Sequence, residues 1–373
     1  MVEQMRNRWL ILSTMIALVA VCTPGLLYSD SPAHGDRKKL PKGCGSCHKG
    51  HGQYKTPMLT DRKDVFCFNC HGYSSSRERS RAKGILGRDT KETDLQQEFE
   101  KPYRHPIENT GIHNYSEILP ETDPSMPRHS ECGDCHNHHF VSSENKMAKI
   151  SGIDRGRGRV REAMSEYEVC FKCHSSSANL PGDQRDKAEE FDISNPSYHP
   201  VAAPGKNKDV PSLIYPLSST SVIKCTDCHN SDDARGPKGP HGSIYRHILA
   251  RNYSENDGTE NAFQYALCYG CHRRNSILGN ESFSVHRLHI VSVGASCRTC
   301  HNSHGSTQYS HLIDFENMSI RPSRSGRLEF MDLGPKTGQC FLECHGRDHD
   351  PETYPTGAAS LFEKTKAGDL LRW

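Results

Sequence analysis

The residues that could do chemistry in this chain are cysteines and histidines in one recurring spacing. The 373 residues include 17 Cys and 23 His, far more than an average globular chain carries. Seven copies of Cys-x-x-Cys-His occur, and an eighth copy has three residues between its cysteines. The eight copies are Cys44, Cys47 and His48; Cys67, Cys70 and His71; Cys132, Cys135 and His136; Cys170, Cys173 and His174; Cys225, Cys228 and His229; Cys268, Cys271 and His272; Cys297, Cys300 and His301; and Cys340, Cys344 and His345. Every cysteine except Cys22 belongs to one of them.

This spacing is the attachment motif of c-type haem. The two thiols bond to the vinyl groups of the macrocycle, and the adjacent imidazole reaches the iron. Zinc ribbons use two Cys-x-x-Cys pairs around one ion and need no His after each pair. Redox dithiols of the thioredoxin type occur once, beside a βαβ pattern that this chain lacks. The sequence therefore predicts eight covalently bound haem c groups, each with a proximal His ligand to its iron.

The eight motifs alternate between two types. In the odd copies the residues between the cysteines are small or polar, whereas in the even copies an aromatic residue follows the first cysteine: Phe68, Phe171, Tyr269 and Phe341. The alternation indicates four tandem di-haem units. After a leader at 1–29, these units are predicted at 30–90, 91–185, 186–280 and 281–373.

Fifteen histidines remain after the eight proximal ones, enough to give every iron a second imidazole. One His upstream and one downstream of each odd motif supply eight candidate distal ligands: His34, His51, His105, His139, His199, His241, His289 and His304. His129 in place of His105, and His138 in place of His139, are open alternatives.

Three of these candidates follow a proximal His by three residues. Side chains at i and i+3 of a helical turn lie side by side, so they cannot occupy opposite faces of one macrocycle. We therefore expect His51, His139 and His304 to reach a neighbouring haem, with the even haem of their own unit as the first candidate.

The composition alone would not build a conventional core. Apolar residues make up 34% of the chain, the mean hydropathy is −0.75, and Gly and Pro together number 51. Bound macrocycles can supply the missing apolar surface. The predicted fold is mostly coil with short α-helices and little or no β structure, wrapped around a chain of haems.

Charge limits the partners. With 47 basic and 45 acidic residues the formal net charge is +2, which gives no basic excess for binding nucleic acid. Eight oxidised haems at about −1 each would bring the total to roughly −6. On this total alone, a partner with a basic face is expected.

The N-terminus predicts export. Arg6 and Arg8 precede an apolar run from Trp9 to Cys22, as in a secretory signal peptide. Lipidation at Cys22 and an uncleaved anchor are the alternatives. We expect a periplasmic, extracellular or outer-membrane-associated protein.

The paired motifs resemble those of multihaem c-type cytochromes with doubled Cys-x-x-Cys-His motifs. The resemblance rests on Cys-Gly-Asp-Cys-His-Asn-His-His and Cys-Arg-Thr-Cys-His-Asn-Ser-His, each combined with even copies such as Cys-Phe-Lys-Cys-His, and it covers about residues 34–349. It implies a mostly coil protein around closely spaced haems, in periplasmic or extracellular electron transfer of anaerobic, often metal-reducing bacteria. The stretched eighth motif and Asp232, where other units have a nearby His, depart from the pattern.

Three functions fit these features. An electron-transfer protein with two His ligands on every iron is the leading one, and it would not be an enzyme. Its partners would be redox donors and acceptors, including extracellular metal or an outer-membrane conduit. An octahaem reductase acting on nitrite, hydroxylamine or tetrathionate would need one open iron, and a filament-forming cytochrome would associate with copies of itself.

Overall fold

The structure is a computed structural model that describes residues 32–50, 58–61, 66–107, 129–176 and 179–354. The predicted leader at 1–29 and the candidate ligand His51 lie outside these ranges. Most of the described chain is neither helix nor strand, and the longest helices have nine residues. None of the described helices is long and apolar enough to cross a membrane.

The helices are short and several coincide with the motifs. The α-helices are α1 (Phe68–His71), α2 (Ser74–Ala82), α3 (Cys132–Cys135), α4 (Glu166–His174), α5 (Lys187–Glu190), α6 (Cys225–Cys228), α7 (Ala266–Tyr269), α8 (Arg274–Leu278) and α9 (Cys297–Cys300). Single turns of 3₁₀-helix occur at Ala33–Gly35, Gly43–Ser46, Glu98–Glu100 and Arg246–Ile248, and one π-helical segment occurs at Leu288–Val293.

The strands fall into two classes. Seven are two-residue strands: β1 (Tyr103–Arg104), β2 (Gly152–Ile153), β3 (Arg159–Val160), β4 (Ser197–Tyr198), β5 (Gly242–Ser243), β6 (Gly305–Ser306) and β7 (Ile320–Arg321). Three longer strands are β8 (Glu329–Gly334), β9 (Thr337–Cys344) and β10 (Arg347–Tyr354). β9 pairs antiparallel with β10, β8 and β7, which makes a four-stranded sheet. The mostly non-helical character agrees with the sequence, whereas this sheet exceeds the little or no β structure that was expected.

Two of the short pairings join successive parts of the chain. β1 pairs with β5, opposing Tyr103 to Ser243, and β4 pairs with β6, opposing Tyr198 to Gly305. Each pairing connects a segment that precedes the odd motif of one repeat to a segment between the two motifs of the next repeat, more than 100 residues further on. These pairings bring distant histidines together.

The buried apolar side chains of the described ranges form four separate clusters rather than one core. The largest contains Ile153, Tyr167, Phe171, Ala188, Phe191 and Val201, and each of the other three has three fully buried members. Clusters of this size remove little apolar surface from water. The low apolar content of the sequence therefore corresponds to four small apolar clusters in place of one continuous core.

A buried carboxylate ties one even motif to the helix that follows it. Glu260, only 3% exposed, accepts hydrogen bonds from Arg274 through both carboxylate oxygens and from the hydroxyl of Tyr269 at 3.0 Å. The bonds from Arg274 are the main reason that the pKa of Glu260 lies below its ordinary value of 4.5. The ionised form is thus preferred in the folded state. Its stabilisation is complete above about pH 4.5 and is lost as the pH falls through the lowered pKa.

We expect Glu260→Gln to lower the free energy of unfolding by about 1–3 kcal/mol at pH 7, because the Arg274 guanidinium and the Tyr269 hydroxyl lose their charged acceptor. The difference from the unmodified protein should shrink in acid, where Glu260 is itself protonated. Denaturant unfolding at both pH values measures it. The exposed Glu144→Gln is the matched control and should change the stability by less than about 0.5 kcal/mol. Equal losses in the two variants would contradict the assigned role.

Candidate functional site: facing imidazoles at the motifs

The strict motifs share one local backbone. In six of them the proximal His backbone N–H donates to the carbonyl of the first cysteine at 2.8–3.0 Å, as at His48, His71 and His136. The remaining strict motif, which ends at His174, lies inside helix α4. One helical turn therefore presents both thiols and places the imidazole next to them.

Polar residues between the odd cysteines stabilise these turns. The Asp134 carboxylate accepts from the backbone N–H of Glu131 at 2.6 Å, and Asp227 accepts from that of Lys224 at 2.8 Å. At α9 the Ser296 hydroxyl accepts from the backbone N–H of Thr299 at 3.2 Å. These are helix N-terminal caps. They explain why small and polar residues recur in the odd copies.

The aromatic residues of the even copies have a different role. Phe171 is 1% exposed in the largest apolar cluster, and its ring lies 5.2 Å from that of Tyr167. Tyr265 is also 1% exposed and contacts Tyr269 ring to edge at 6.2 Å. The recurring Tyr-x-x-Cys-aromatic sequence thus packs the motif turns at Cys170 and Cys268 against buried apolar side chains.

Each strict motif except one shows its proximal ring facing a second imidazole. The ring centroids are 6.1–6.4 Å apart in six pairs: His48 with His139, His71 with His34, His136 with His241, His174 with His105, His229 with His304, and His301 with His286. At the remaining strict motif, burial is the main cause that lowers the pKa of His272 to about 4, and His199 also contributes.

This separation fits one metal ion between two rings. Metal–imidazole bonds are about 2 Å long, so two imidazoles on opposite sides of an ion have ring centres about 6 Å apart. Within the described ranges no group of three or more His, Cys, Asp or Glu side chains is arranged to hold a metal ion. The residues at the motifs therefore fit a group that brings its own equatorial ligands and needs two axial ones.

Hydrogen bonds orient many of these rings through Nδ1. This nitrogen contacts a backbone carbonyl in His34 (2.7 Å), His105 (2.7 Å), His136 (2.8 Å), His229 (2.8 Å) and His301 (3.0 Å), and it contacts the Ser212 hydroxyl in His272 (2.8 Å). This arrangement suits an iron-binding histidine, because a bond at Nδ1 directs Nε2 to the metal. In contrast, His311 places Nε2 3.0 Å from the Asp332 carboxylate, and it faces no other imidazole among the described residues.

One arrangement of distal histidines occurs three times. The Nδ1 atoms of His34, His105 and His199 contact the carbonyls of His138, Pro240 and Ser303, each of which directly precedes another distal candidate: His139, His241 and His304. The β1–β5 and β4–β6 pairings hold the second and third copies together. The bond from the Ala33 N–H to the Val141 carbonyl, 2.9 Å long, holds the first.

The pairing departs from the expectation for His139 and His304. They face His48 and His229, which belong to the odd motif of the preceding unit rather than the even motif of their own. The reason is the repeated backbone contact, which joins each downstream His to the unit before it. His139 rather than His138 faces a proximal ring, since the His138 carbonyl is engaged by His34.

Two histidines were missed by the sequence analysis. His286 was passed over for His289, three residues further on, yet His286 faces His301. His289 instead faces His349, with ring centroids 6.5 Å apart. The only signal in the sequence was the spacing of three residues between His286 and His289. That spacing does not determine which of the two rings faces which motif.

The eighth motif has a different backbone. Cys340 and Cys344 lie on strand β9, and His345 follows with a φ of 50° in the turn before β10. A strand rises about 3.3 Å per residue, against 1.5 Å in a helix, so the two thiols stand further apart than in the helical turns. His345 Nε2 lies 3.2 Å from the Asp257 carboxylate.

Burial keeps four of the facing rings neutral. It is the largest cause that lowers the pKa of His174, His229, His241 and His301 to about 4. Neutral imidazole is the form that binds a metal. At neutral pH these side chains are therefore ready to act as ligands.

A family profile described as a doubled CXXCH motif matches residues 37–75, 126–179 and 220–276. The chain thus carries the doubled CXXCH motif of multihaem c-type cytochromes. The motifs indicate covalently bound c-type haem, and they suggest electron transfer as the activity. The fourth pair of motifs, which includes the stretched copy, lies outside the matched residues. No curated protein and no solved structure matches the chain.

Some distal rings are held by more than a carbonyl. His304 Nδ1 lies 3.1 Å from the carboxylate of Glu190, which is 2% exposed and also bound by Lys187, Arg185 and Asn302. Burial opposes the ionisation of Glu190, but its bonds to His304 and Lys187 outweigh burial and lower its pKa to about 2. Glu190 is therefore an anion that orients the His304 ring and would strengthen it as a ligand.

We expect Glu190→Gln to raise the reduction potential of one haem by tens of millivolts, because a neutral amide makes the His304 imidazole a weaker donor to ferric iron. A spectroelectrochemical titration of the holoprotein measures the shift. The exposed neighbour Glu189 provides the control, and Glu189→Gln should leave every potential in place. The same shift in both variants would show that only the overall charge matters.

Proposed function

We propose that this protein transfers electrons through eight covalently bound haem c groups, each held by two axial histidines. The facing imidazoles about 6 Å apart at the strict motifs carry the proposal. When bound, c-type haem supplies reversible one-electron chemistry at its iron. The protein's own residues attach it, orient it and set its potential.

Two histidines on one iron leave no coordination position for a substrate. The proximal His arrives with its two cysteines on one turn, and the distal His arrives from a different part of the chain. Each pair closes its site from both sides. This favours a carrier over the octahaem reductase, which needs one open iron.

The attachment thiols support an ordered path. Cys132 is the main cause of the raised pKa of the Cys67 thiol, Cys225 is the main cause at Cys170, and Cys268 is the main cause at Cys297. Burial is the main cause of the raised pKa at Cys70, Cys228 and Cys300, and smaller contributions come from Cys47, Cys271 and Cys340, respectively. Cys135 also contributes at Cys170. These influences support the inference that each motif lies near the next one along the chain. We infer a single array in sequence order, with the first motif at one end and the eighth at the other.

The setting we propose is periplasmic or extracellular respiration. The apolar run from Trp9 to Cys22 supports export. The eight attachment motifs support partners that exchange electrons: redox proteins, extracellular metal or an outer-membrane conduit. Localisation of the tagged full-length protein by cell fractionation, with haem staining of each fraction, tests this setting. Recovery in the cytoplasm would contradict it.

The distal assignment can be tested with adjacent residues. We expect His139→Ala to leave eight haems bound and to turn one of them high-spin, because the iron at His48 loses its second ligand. Low-temperature electron paramagnetic resonance, quantified against total haem by the pyridine haemochrome assay, measures the fraction. The neighbouring His138→Ala is the control and should stay fully low-spin. If the His138 variant gives the high-spin signal and the His139 variant does not, His138 is the distal ligand and the assignment of His139 is wrong.

At the eighth motif we propose His289 and His349 as the axial pair. The His289 Nδ1 contacts the Val285 carbonyl at 3.0 Å, which leaves Nε2 for iron. His349 is 8% exposed, and its Nδ1 has no hydrogen-bond partner among the described residues. Asp257, near His345, is itself held by Ser296 and Thr299. His345 would then act as a turn residue beside a fixed carboxylate.

His349→Ala should make one haem in eight high-spin. His349→Met should stay low-spin but raise one potential, since Met/His ligation raises the potential of a c-type haem. His345→Gln should leave all irons low-spin. If the high-spin signal follows His345 rather than His349, His345 is the ligand. A high-spin signal from one haem in eight of the unmodified protein would favour the octahaem reductase.

A further inference from the structure

The charge of the chain is unevenly divided between its first unit and the rest. Residues 30–90 contain 13 Lys and Arg against six Asp and Glu, whereas residues 91–373 contain 32 against 38. The first unit is therefore at +7 and the remainder at −6. With about −1 for each oxidised haem, these become about +5 and about −12.

Six exposed cations of the first unit lie on two described segments that pack against each other. The chain at 37–49 packs against the end of helix α2: the Gly87 N–H donates to the Lys39 carbonyl at 2.8 Å, and the Ser46 hydroxyl donates to the Ile85 carbonyl at 3.4 Å. The Lys42 side chain lies beside Gly84, the residue after Lys83. The N-terminal basic surface consists of Arg37, Lys38, Lys42, Lys49, Arg79 and Lys83, all of them exposed.

None of these six cations forms an ion pair with a carboxylate of the described residues. Arg79, for example, donates to the Ser76 hydroxyl at 2.9 Å. Elsewhere the chain pairs its charges: Arg185 bridges to three carboxylates, and Lys101 bridges to Glu98 and Asp232. Unpaired cations concentrated on one face create a positive field that attracts an anionic partner.

The N-terminal basic surface includes residues on both sides of the first attachment motif in the chain. Cys44, one of two motif cysteines that are exposed, lies between Lys42 and Lys49 in the chain. On the proposed function, the first motif is also one end of the array. An end of an electron path that reaches the surface is where a partner must dock.

We propose that the N-terminal basic surface is the docking site of an electron-transfer protein with an acidic face, which exchanges electrons with the haem at His48. This differs from the basic partner expected from the total charge, because association is steered by the local field rather than by the net charge. A second copy of this chain fits less well. The acidic residues of its other units are spread over 283 positions, and many are already in ion pairs.

The test uses a plant-type ferredoxin, a small acidic iron–sulfur protein, as the reducing probe for the oxidised holoprotein. Stopped-flow absorbance gives the second-order rate constant at several salt concentrations. The double variant Arg79→Glu and Lys83→Glu is expected to react about tenfold more slowly at low salt, and the difference should vanish near 1 M salt, where the screening length is about 3 Å.

The matched control has the same change in net charge on the third unit. Arg235 and Lys238 are exposed there, and Arg235→Glu with Lys238→Glu should retain the rate of the unmodified protein within about twofold. Equal slowing in both double variants, or in neither, would overturn the docking surface. Unchanged low-spin haem spectra show that each variant has folded.

Two further readouts separate the alternatives. If dithionite fails to reduce the unmodified holoprotein reversibly, the proposed electron transfer itself fails. If dithionite reduces it but the rate with ferredoxin is independent of the first-unit charges, only the docking surface fails. A salt-sensitive dimer in sedimentation analysis that is lost in the Arg79/Lys83 variant would transfer the surface to a second copy of this chain.

Discussion

The arrangement on which the rest of this structure depends is the separation of about 6 Å between facing imidazoles. Two rings at this distance can hold one metal ion along a single axis, and they can do so only if the chain fixes both from opposite sides. The bonds at Nδ1 set the orientation of each ring, and the short strand pairings set where the distal rings stand. A displacement of either backbone by a few ångströms would open the site. Much of the irregular chain between motifs is therefore constrained by ligand placement rather than by apolar packing.

The four repeats are not independent modules. In solenoid proteins each repeat mainly contacts its neighbours through a packed interface. Here His139, His241 and His304 face proximal rings of the preceding unit, so each odd site is completed by the next stretch of chain. The unit boundaries read from the motif spacing consequently do not coincide with the boundaries of complete sites. The last unit has no successor, and His286 from its own sequence faces His301 instead.

The first and last units differ from the two middle units in charge and in secondary structure. The first carries the excess of exposed cations, and the last contains the four-stranded sheet with the stretched motif on β9. The cysteines of the stretched motif lie on an extended strand, in place of the one-turn helix that the strict motifs form. The middle units share the same kind of short strand pairing, β1 with β5 and β4 with β6. The distinctive features, the exposed cations and the four-stranded sheet, lie in the two end units.

The cysteine spacing alone identified the attachment chemistry, the number of motifs and their alternation, because a covalent motif depends on local sequence and needs no tertiary partner. It also identified five of the histidines that face a proximal ring: His34, His105, His139, His241 and His304. Which ring each one faces could not be read from the sequence, since the partners lie up to 105 residues apart and are chosen by backbone contacts such as β1 with β5. His286 and His349 were hidden for the same reason, and so was the strand at Cys340. Local residue types determine what can bind, whereas only the path of the whole chain decides which two side chains meet across a site.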